Sequence, residues 1–182
     1  HAIGGKDKGE KIGNCKYSSI TVFSFHPVKI ITTGEGGVVT TNNINLAERI
    51  KKLRSHGITK DPEKFKYTPK GPWTYEQQEL GFNYRLCDIN ASLGLSQLNR
   101  LDSILKQRDI IMERYYKLLN DLPVRFLVIP DYIRSSLHLA IIRLNNTSSS
   151  KHLEVFKALR DSGVGVQLHY SPIHLQPYYR NL

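Results

Sequence analysis

Apolar residues along this chain switch between two periods, and the switches mark its elements. Ile20-Thr21-Val22-Phe23 is short, apolar and β-branched, which predicts a buried strand, and Val38-Val39-Thr40-Thr41 predicts another. Residues 1–42 as a whole read as short strands separated by glycine and lysine turns. A helix follows, with Leu46, Ile50 and Leu53 on one face and Asn45 expected as its cap. From residue 56 to residue 80 Pro, Lys, Gly and Tyr dominate without any apolar period, which predicts a long excursion running on to residue 87. Between Asp88 and Asn120, Ile89, Leu93, Leu95, Leu98, Leu101, Ile104, Leu105, Ile111 and Tyr115 recur near the helical period. One long helix or two in succession are expected there, with Asp88 as N-cap and Pro123 as the stop. Beyond Pro123, His138–Leu144 reads as a strand, Ser150 as the cap of a helix over Lys151–Asp161 that closes on Gly163, and Val164–His169 as a second strand. That β-α-β order predicts a small α/β domain over 123–182, joined to residues 1–122 through the helical region 88–120.

One lysine is set apart by its surroundings. Lys29 closes the run Ser24-Phe25-His26-Pro27-Val28 after a predicted strand, and Thr32-Thr33-Gly34-Glu35-Gly36-Gly37 follows it. Strand ends are where α/β folds gather their chemistry. An amine partly withdrawn from water there becomes a nucleophile toward an aldehyde, as in a Schiff-base lysine. A solvated loop lysine is the alternative reading.

The segment resembles the pyridoxal-phosphate aminotransferases that act on nucleotide-linked keto-sugars, the DegT/DnrJ/EryC1/StrS type, where Ser-Phe-His-Pro-x-Lys and a Glu-Gly-Gly turn flank the cofactor lysine. The resemblance runs along the whole chain. It is carried further by His1-Ala2-Ile3-Gly4-Gly5, Lys11-Ile12-Gly13, Arg54-Ser55-His56-Gly57-Ile58, Gly81-Phe82-Asn83-Tyr84-Arg85-Leu86 and Gly165-Val166-Gln167-Leu168-His169-Tyr170. Within the family, Ser55–Pro62 and Gly71–Gln77 look most like members that aminate C4 of a UDP-linked 4-keto-6-deoxy-N-acetylhexosamine on the bacterial pathway to pseudaminic acid. Another nucleotide-linked keto-sugar is the alternative.

The resemblance implies an α/β architecture, the pyridoxal-phosphate-dependent transferase fold type I of the aspartate aminotransferase kind, truncated at both ends. Residues 1–122 would be the C-terminal part of the large cofactor domain and 123–182 part of the small one. An aspartate that pairs with the pyridine nitrogen would precede His1, so the chain alone is expected to be inactive. Lys29 would carry the cofactor aldehyde and act as the general base, Ser24 would donate to the cofactor phosphate, and His1 would pack beside the cofactor ring. Asn83 would reach the phosphate of the neighbouring subunit's cofactor, which implies a homodimer with shared sites; a turn asparagine is the other reading. Gln167, Leu168, His169, Tyr170 and, further on, Tyr179 would line the nucleotide-sugar pocket, against a plain core strand. Trp73 and Tyr75 would either shape the sugar pocket or pin the excursion to the core. Glutamate is the expected amino donor. A non-catalytic truncated homologue that acts as a binding subunit is the competing class, and the retained Lys29 speaks against it.

Composition narrows the remaining classes. The 182 residues carry 26 Lys and Arg against 16 Asp and Glu, a formal charge of +10. The basic residues are interleaved with acids, as in Glu48-Arg49-Ile50-Lys51-Lys52, and no zinc-finger or RNA-recognition signature accompanies them, so nucleic acid is not the expected partner. Cys15 and Cys87 lack metal-ligand spacing and read as reduced thiols of a cytoplasmic protein, with no metal expected. No apolar run approaches the ~20 residues that span a bilayer, so no membrane association is expected either.

Overall fold

The computed structural model describes residues 1–181, which form two compact units. The first comprises His1–Leu118 and Val128–Ala140; the second comprises Leu119–Leu127 and the described residues from Ile141 onward. Residues 128–140 thus return to the first unit.

The first unit opens with a two-residue hairpin, β1 (Lys6–Asp7) and β2 (Glu10–Lys11), followed by β3 (Thr21–Ser24) and β4 (Gly37–Thr40). β3 and β4 pair antiparallel, Phe23 opposite Val38 and Ser24 opposite Gly37. The expected strand at 20–23 is therefore present but is not buried as a whole. Successive side chains alternate faces and only one face of this ribbon is covered, so Phe23 is buried while Val22 is 69% exposed.

α1 (Ile44–Leu53) begins one residue before the expected cap. Asn43, in extended backbone, is the N-cap, and its side-chain oxygen accepts from the backbone N–H groups of Asn45 (2.9 Å) and Leu46 (3.2 Å). Asn45 falls inside the first turn, where its own N–H is one of the donors to be satisfied. The excursion that follows is not structureless. β5 (Ile58–Thr59) pairs with β6 (Glu76–Gln77), and Asp61 caps a single 3₁₀ turn at Pro62–Lys64.

The helical period over 88–120 resolves into α2 (Asp88–Asn99) and α3 (Leu101–Leu119), separated at Arg100. Cys87, not Asp88, is the N-cap of α2; Asp88 sits in the first turn, where its carboxylate opposes the positive end of the helix dipole. After β7 (Val124–Phe126), β8 (Ile133–Arg134) adds to β1 to give a sheet of order β2-β1-β8. Neither strand had a clear alternating pattern.

In the second unit β7 pairs antiparallel with β9 (Ile142–Leu144), the only strand within the expected 138–144 segment. α4 (Ser149–Asp161) is capped by Ser148, whose Oγ accepts from Lys151 N–H at 3.2 Å, rather than by Ser150. It closes as a Schellman motif: Gly163, at φ +80°, donates to Arg160 O and Val164 donates to Leu159 O. The expected strand at 164–169 does not form among the described residues. Val166 N–H turns back onto Val164 O at 2.9 Å, and the segment finds no strand to pair with. The β-α-β unit is thus only a β-α pair, followed by irregular chain to residue 172, a 3₁₀ turn at Ile173–Leu175 and a short helix at Pro177–Arg180. Among the described residues no helix is long and apolar enough to cross a membrane.

The core of the first unit sits beside the candidate lysine. Ile30, Ile31 and Leu105 are buried together, with Ile3, Phe25, Leu101 and Ile104 packed around them. α3 approaches so closely that a Cβ on Gly4 would collide with the Leu105 side chain. A second close approach fixes the 55–83 region. Phe82 N–H donates to Leu53 O (2.7 Å), His56 N–H to Phe82 O (2.8 Å) and Tyr84 N–H to Arg54 O (2.9 Å). Buried Gly57, at φ +70°, lies where a Cβ would run into the Glu79 carbonyl.

Gly57→Ala is therefore expected to cost at least ~2 kcal/mol in urea unfolding, combining left-handed strain with displacement of backbone. Gly9→Ala, at φ +84° with nothing within 4 Å, carries the strain alone and is expected to cost about 1 kcal/mol.

Candidate active site

Lys29 stands on a turn built almost entirely from local hydrogen bonds. Its N–H donates to His26 O at 2.9 Å, and His26 N–H reaches back to Ser24 Oγ at 3.5 Å. Phe25 is clamped from the other side: its N–H donates to Gly36 O, and its carbonyl accepts from Thr33 N–H and from Thr32 Oγ1 at 2.9 Å. The glycine turn recognised in the sequence is thus the partner of the lysine turn. Immediately after Lys29 the chain dives into the core as Ile30 and Ile31, 4% and 2% exposed. One end of the lysine is anchored by packing while its amine stays at the surface of the unit.

That amine meets an imidazole. Lys29 Nζ lies 2.5 Å from His1 Nε2, within hydrogen-bond distance. His1 in turn stacks on His138, ring centroids 4.6 Å apart with planes inclined at 28°. The segment carrying His138 is held twice: Arg108 Nη1 donates to Leu137 O (3.0 Å) and His138 O (3.2 Å), and buried Ser136 donates its hydroxyl to Ile3 O (2.7 Å). His138 and Arg108 escape sequence reading because 137 and 107 residues separate them from His1. No local spacing links a ring on a returning loop to one on the first strand.

His26 does not face the lysine amine. Its Nε2 lies 3.7 Å from Glu35 Oε1, across the two turns. Asn83 is exposed on the antiparallel bridge to Ser55. The flanking rings of Phe82 and Tyr84 stack on one another at 4.8 Å, so in this extended stretch they share a face and Asn83 takes the opposite one. Gln167, Leu168, His169, Tyr170 and Tyr179 belong to the second unit and are exposed, with His169 against Tyr170 and Tyr179 edge-on to Tyr178.

Polar groups, not the aromatic rings, pin the excursion. Glu76 accepts from the backbone N–H groups of Lys66 (2.7 Å) and Tyr67 (2.9 Å) and from Gln78 Nε2 (3.0 Å), and Gln78 also donates to Lys64 O at 2.6 Å. Trp73 and Tyr75 remain 75% and 60% exposed. The Lys66 N–H bond, followed by that of Gln78, holds the Glu76 carboxyl below its ordinary range. Because the folded value is depressed, this clamp is in place above the ordinary carboxylate range and is lost as pH falls through the lowered value. Protection of the Lys66 and Tyr67 amides, taken relative to the intrinsic exchange rate at each pH, should therefore be held at neutral pH and lost in acid, and Glu76→Gln should lower it at neutral pH.

A lysine on a tight turn, a hydroxyl at the adjoining strand end and an imidazole beside the amine thus lie together in the first unit, and the fold matches solved aminotransferases. Helicobacter pylori PseC, an aminotransferase involved in pseudaminic acid biosynthesis, superimposes with a TM-score of 0.87 at 31% identity over all of this chain and 46% of PseC. Spr1654 from Streptococcus pneumoniae in its PLP form gives 0.86 at 31% identity, over all of this chain and 45% of the other. The fold is that of the fold-type I pyridoxal-phosphate transferases. Residues 1–182 match the DegT/DnrJ/EryC1/StrS aminotransferase family throughout, and the chain belongs to that family. A UDP-4-amino-4,6-dideoxy-N-acetyl-beta-L-altrosamine transaminase of Campylobacter jejuni is 42% identical over 183 residues, covering all of this chain and 46% of that protein. The chain spans about half the length of the curated relatives it matches.

Proposed function

We propose that the protein is a pyridoxal-phosphate-dependent aminotransferase that moves an amino group from glutamate to C4 of a UDP-linked 4-keto-6-deoxy-N-acetylhexosamine. The observation that carries the reading is the Lys29 amine, anchored by Ile30 and Ile31 and bonded to His1 rather than to a carboxylate. The donor set suits a phosphorylated aldehyde. Lys29 supplies the amine, and Ser24 Oγ, which accepts one backbone N–H, keeps its own hydrogen for a phosphate oxygen. When bound, pyridoxal phosphate supplies the aldehyde and the electron sink that transamination needs.

This chain's residues then divide the work. Lys29 Nζ would hold the cofactor through its aldehyde group and could carry a proton as general base. Ser24 orients the phosphate. Asn83, a neutral amide, donates to the phosphate of the neighbouring subunit, which makes the working form a homodimer in the cytoplasm with shared sites. Gln167, Leu168, His169, Tyr170 and Tyr179 recognise the nucleotide sugar. The activity that names the C. jejuni relative, at 42% identity, supports this substrate over other nucleotide-linked keto-sugars.

In the full-length protein, borohydride reduction after loading with pyridoxal phosphate should fix the cofactor on the Lys29 peptide, read by mass mapping. An adduct on a different lysine would remove the assignment. Lys29→Ala should lower transamination by at least ~10³-fold. Asn83→Ala should weaken cofactor binding by about 1.5–3 kcal/mol, the value of a bond to a charged group. A fully active monomer by sedimentation would rule out the cross-subunit role.

A further inference from the structure

We infer that His138 is a positioning residue for Lys29, acting through His1. The inference rests on the reading of Lys29 as the reactive amine. The ring of His1 is exposed, and an exposed side chain with two free torsions does not keep one nitrogen on a neighbouring amine unaided. The stacked His138 ring supplies the missing constraint, covering one face of His1 at 4.6 Å.

His138 is itself placed by contacts that have no other evident use. Leu137 adopts φ +48°, a left-handed conformation unfavourable for a leucine, and Arg108 bridges the carbonyls of Leu137 and His138 with one guanidinium nitrogen. Ser136, 5% exposed, ties the same segment to Ile3, two residues from His1. The strained turn and the two clamps together aim His138 at His1, and His1 at Lys29 Nζ.

The consequence is chemical. When the Lys29 nitrogen bonds a carbonyl or acyl carbon it must shed a proton, and His1 Nε2 is in place to take it. Removing the His138 ring frees His1 to rotate away, so the amine loses its proton acceptor while its own backbone stays anchored.

The test reads Lys29 without cofactor. The full-length apo protein is trace-labelled with acetic anhydride and the peptides are mapped: the Lys29 nitrogen bonds the acyl carbon, acetate leaves, and the proton passes to His1. General-base help is worth ~10²–10⁴-fold when fully positioned, so His138→Leu and His138→Gln should each slow labelling of Lys29 about tenfold relative to Lys6 in the same sample. His138→Phe, which keeps a ring to stack, should stay within about twofold of the native rate. In a His1→Ala background, His138→Leu should have no further effect. Unchanged Lys29 labelling in both His138→Leu and His138→Gln would overturn the inference, as would an equal slowing in the His1→Ala background, which marks a general loss of structure. Failure of borohydride to fix the cofactor on Lys29 would sink the aminotransferase reading while leaving this measurement intact.

Discussion

The contact on which the first unit depends is the seat of Leu105 against Gly4, Ile30 and Ile31. Three stretches far apart in sequence meet there: the opening segment before β1, the residues after Lys29, and α3. Leu105 is 3% exposed, and a helix can come this close only because position 4 lacks a Cβ. Burial of these side chains, each worth about 1.5–3 kcal/mol, converts a surface turn into a fixed platform. The lysine needs no wall of its own, because the residue after it is core.

Polar clamps then take over where packing stops. The lysine turn is closed by Thr32, Thr33 and Gly36, the His138 segment by Arg108 and Ser136, and the excursion by Glu76 and Gln78. In each case a side chain satisfies backbone groups that no helix or sheet ladder serves. The surface ion pairs are of a different weight. Lys52 and Arg49 with Glu79, and Lys64 with Glu48, tie α1 to the excursion; the half-exposed Lys64–Glu48 pair contributes about 0–1 kcal/mol. Directional bonds to backbone, not charge pairs, give the loops their shape.

Much of this was legible in the chain, and the misses share a physical cause. The helices at 44–53, 88–119 and 149–161 follow from their apolar period, because a helix satisfies its backbone within its own segment. Their starts were displaced by one or two residues wherever two candidates compete, as with Asn43 against Asn45 and Ser148 against Ser150; the winner is the residue whose backbone is extended, which composition does not reveal. The strands were less legible because a strand needs a partner. Val164–His169 has the alternation but finds no ladder, while β8 lacks the alternation yet pairs with β1. The lysine, serine and glycine turn were legible as a local motif. His138 was not, since it matters only through a stack onto a residue at the other end of the chain.

This contrast bears on why the chemistry is easier to assign than the sugar. The groups placed around the amine are held by core packing and by backbone bonds, so their positions tolerate little change in sequence before the platform itself is disturbed. The residues proposed to recognise the nucleotide sugar are exposed, 167–170 on irregular backbone and Tyr179 in the short helix Pro177–Arg180. Discrimination between sugars that differ at one centre needs only ~1–3 kcal/mol, which a few such side chains supply. On the proposed reading, sequence change at 167–170 and 179 can alter the acceptor without disturbing the core packing of Ile30 and Ile31 beside Lys29.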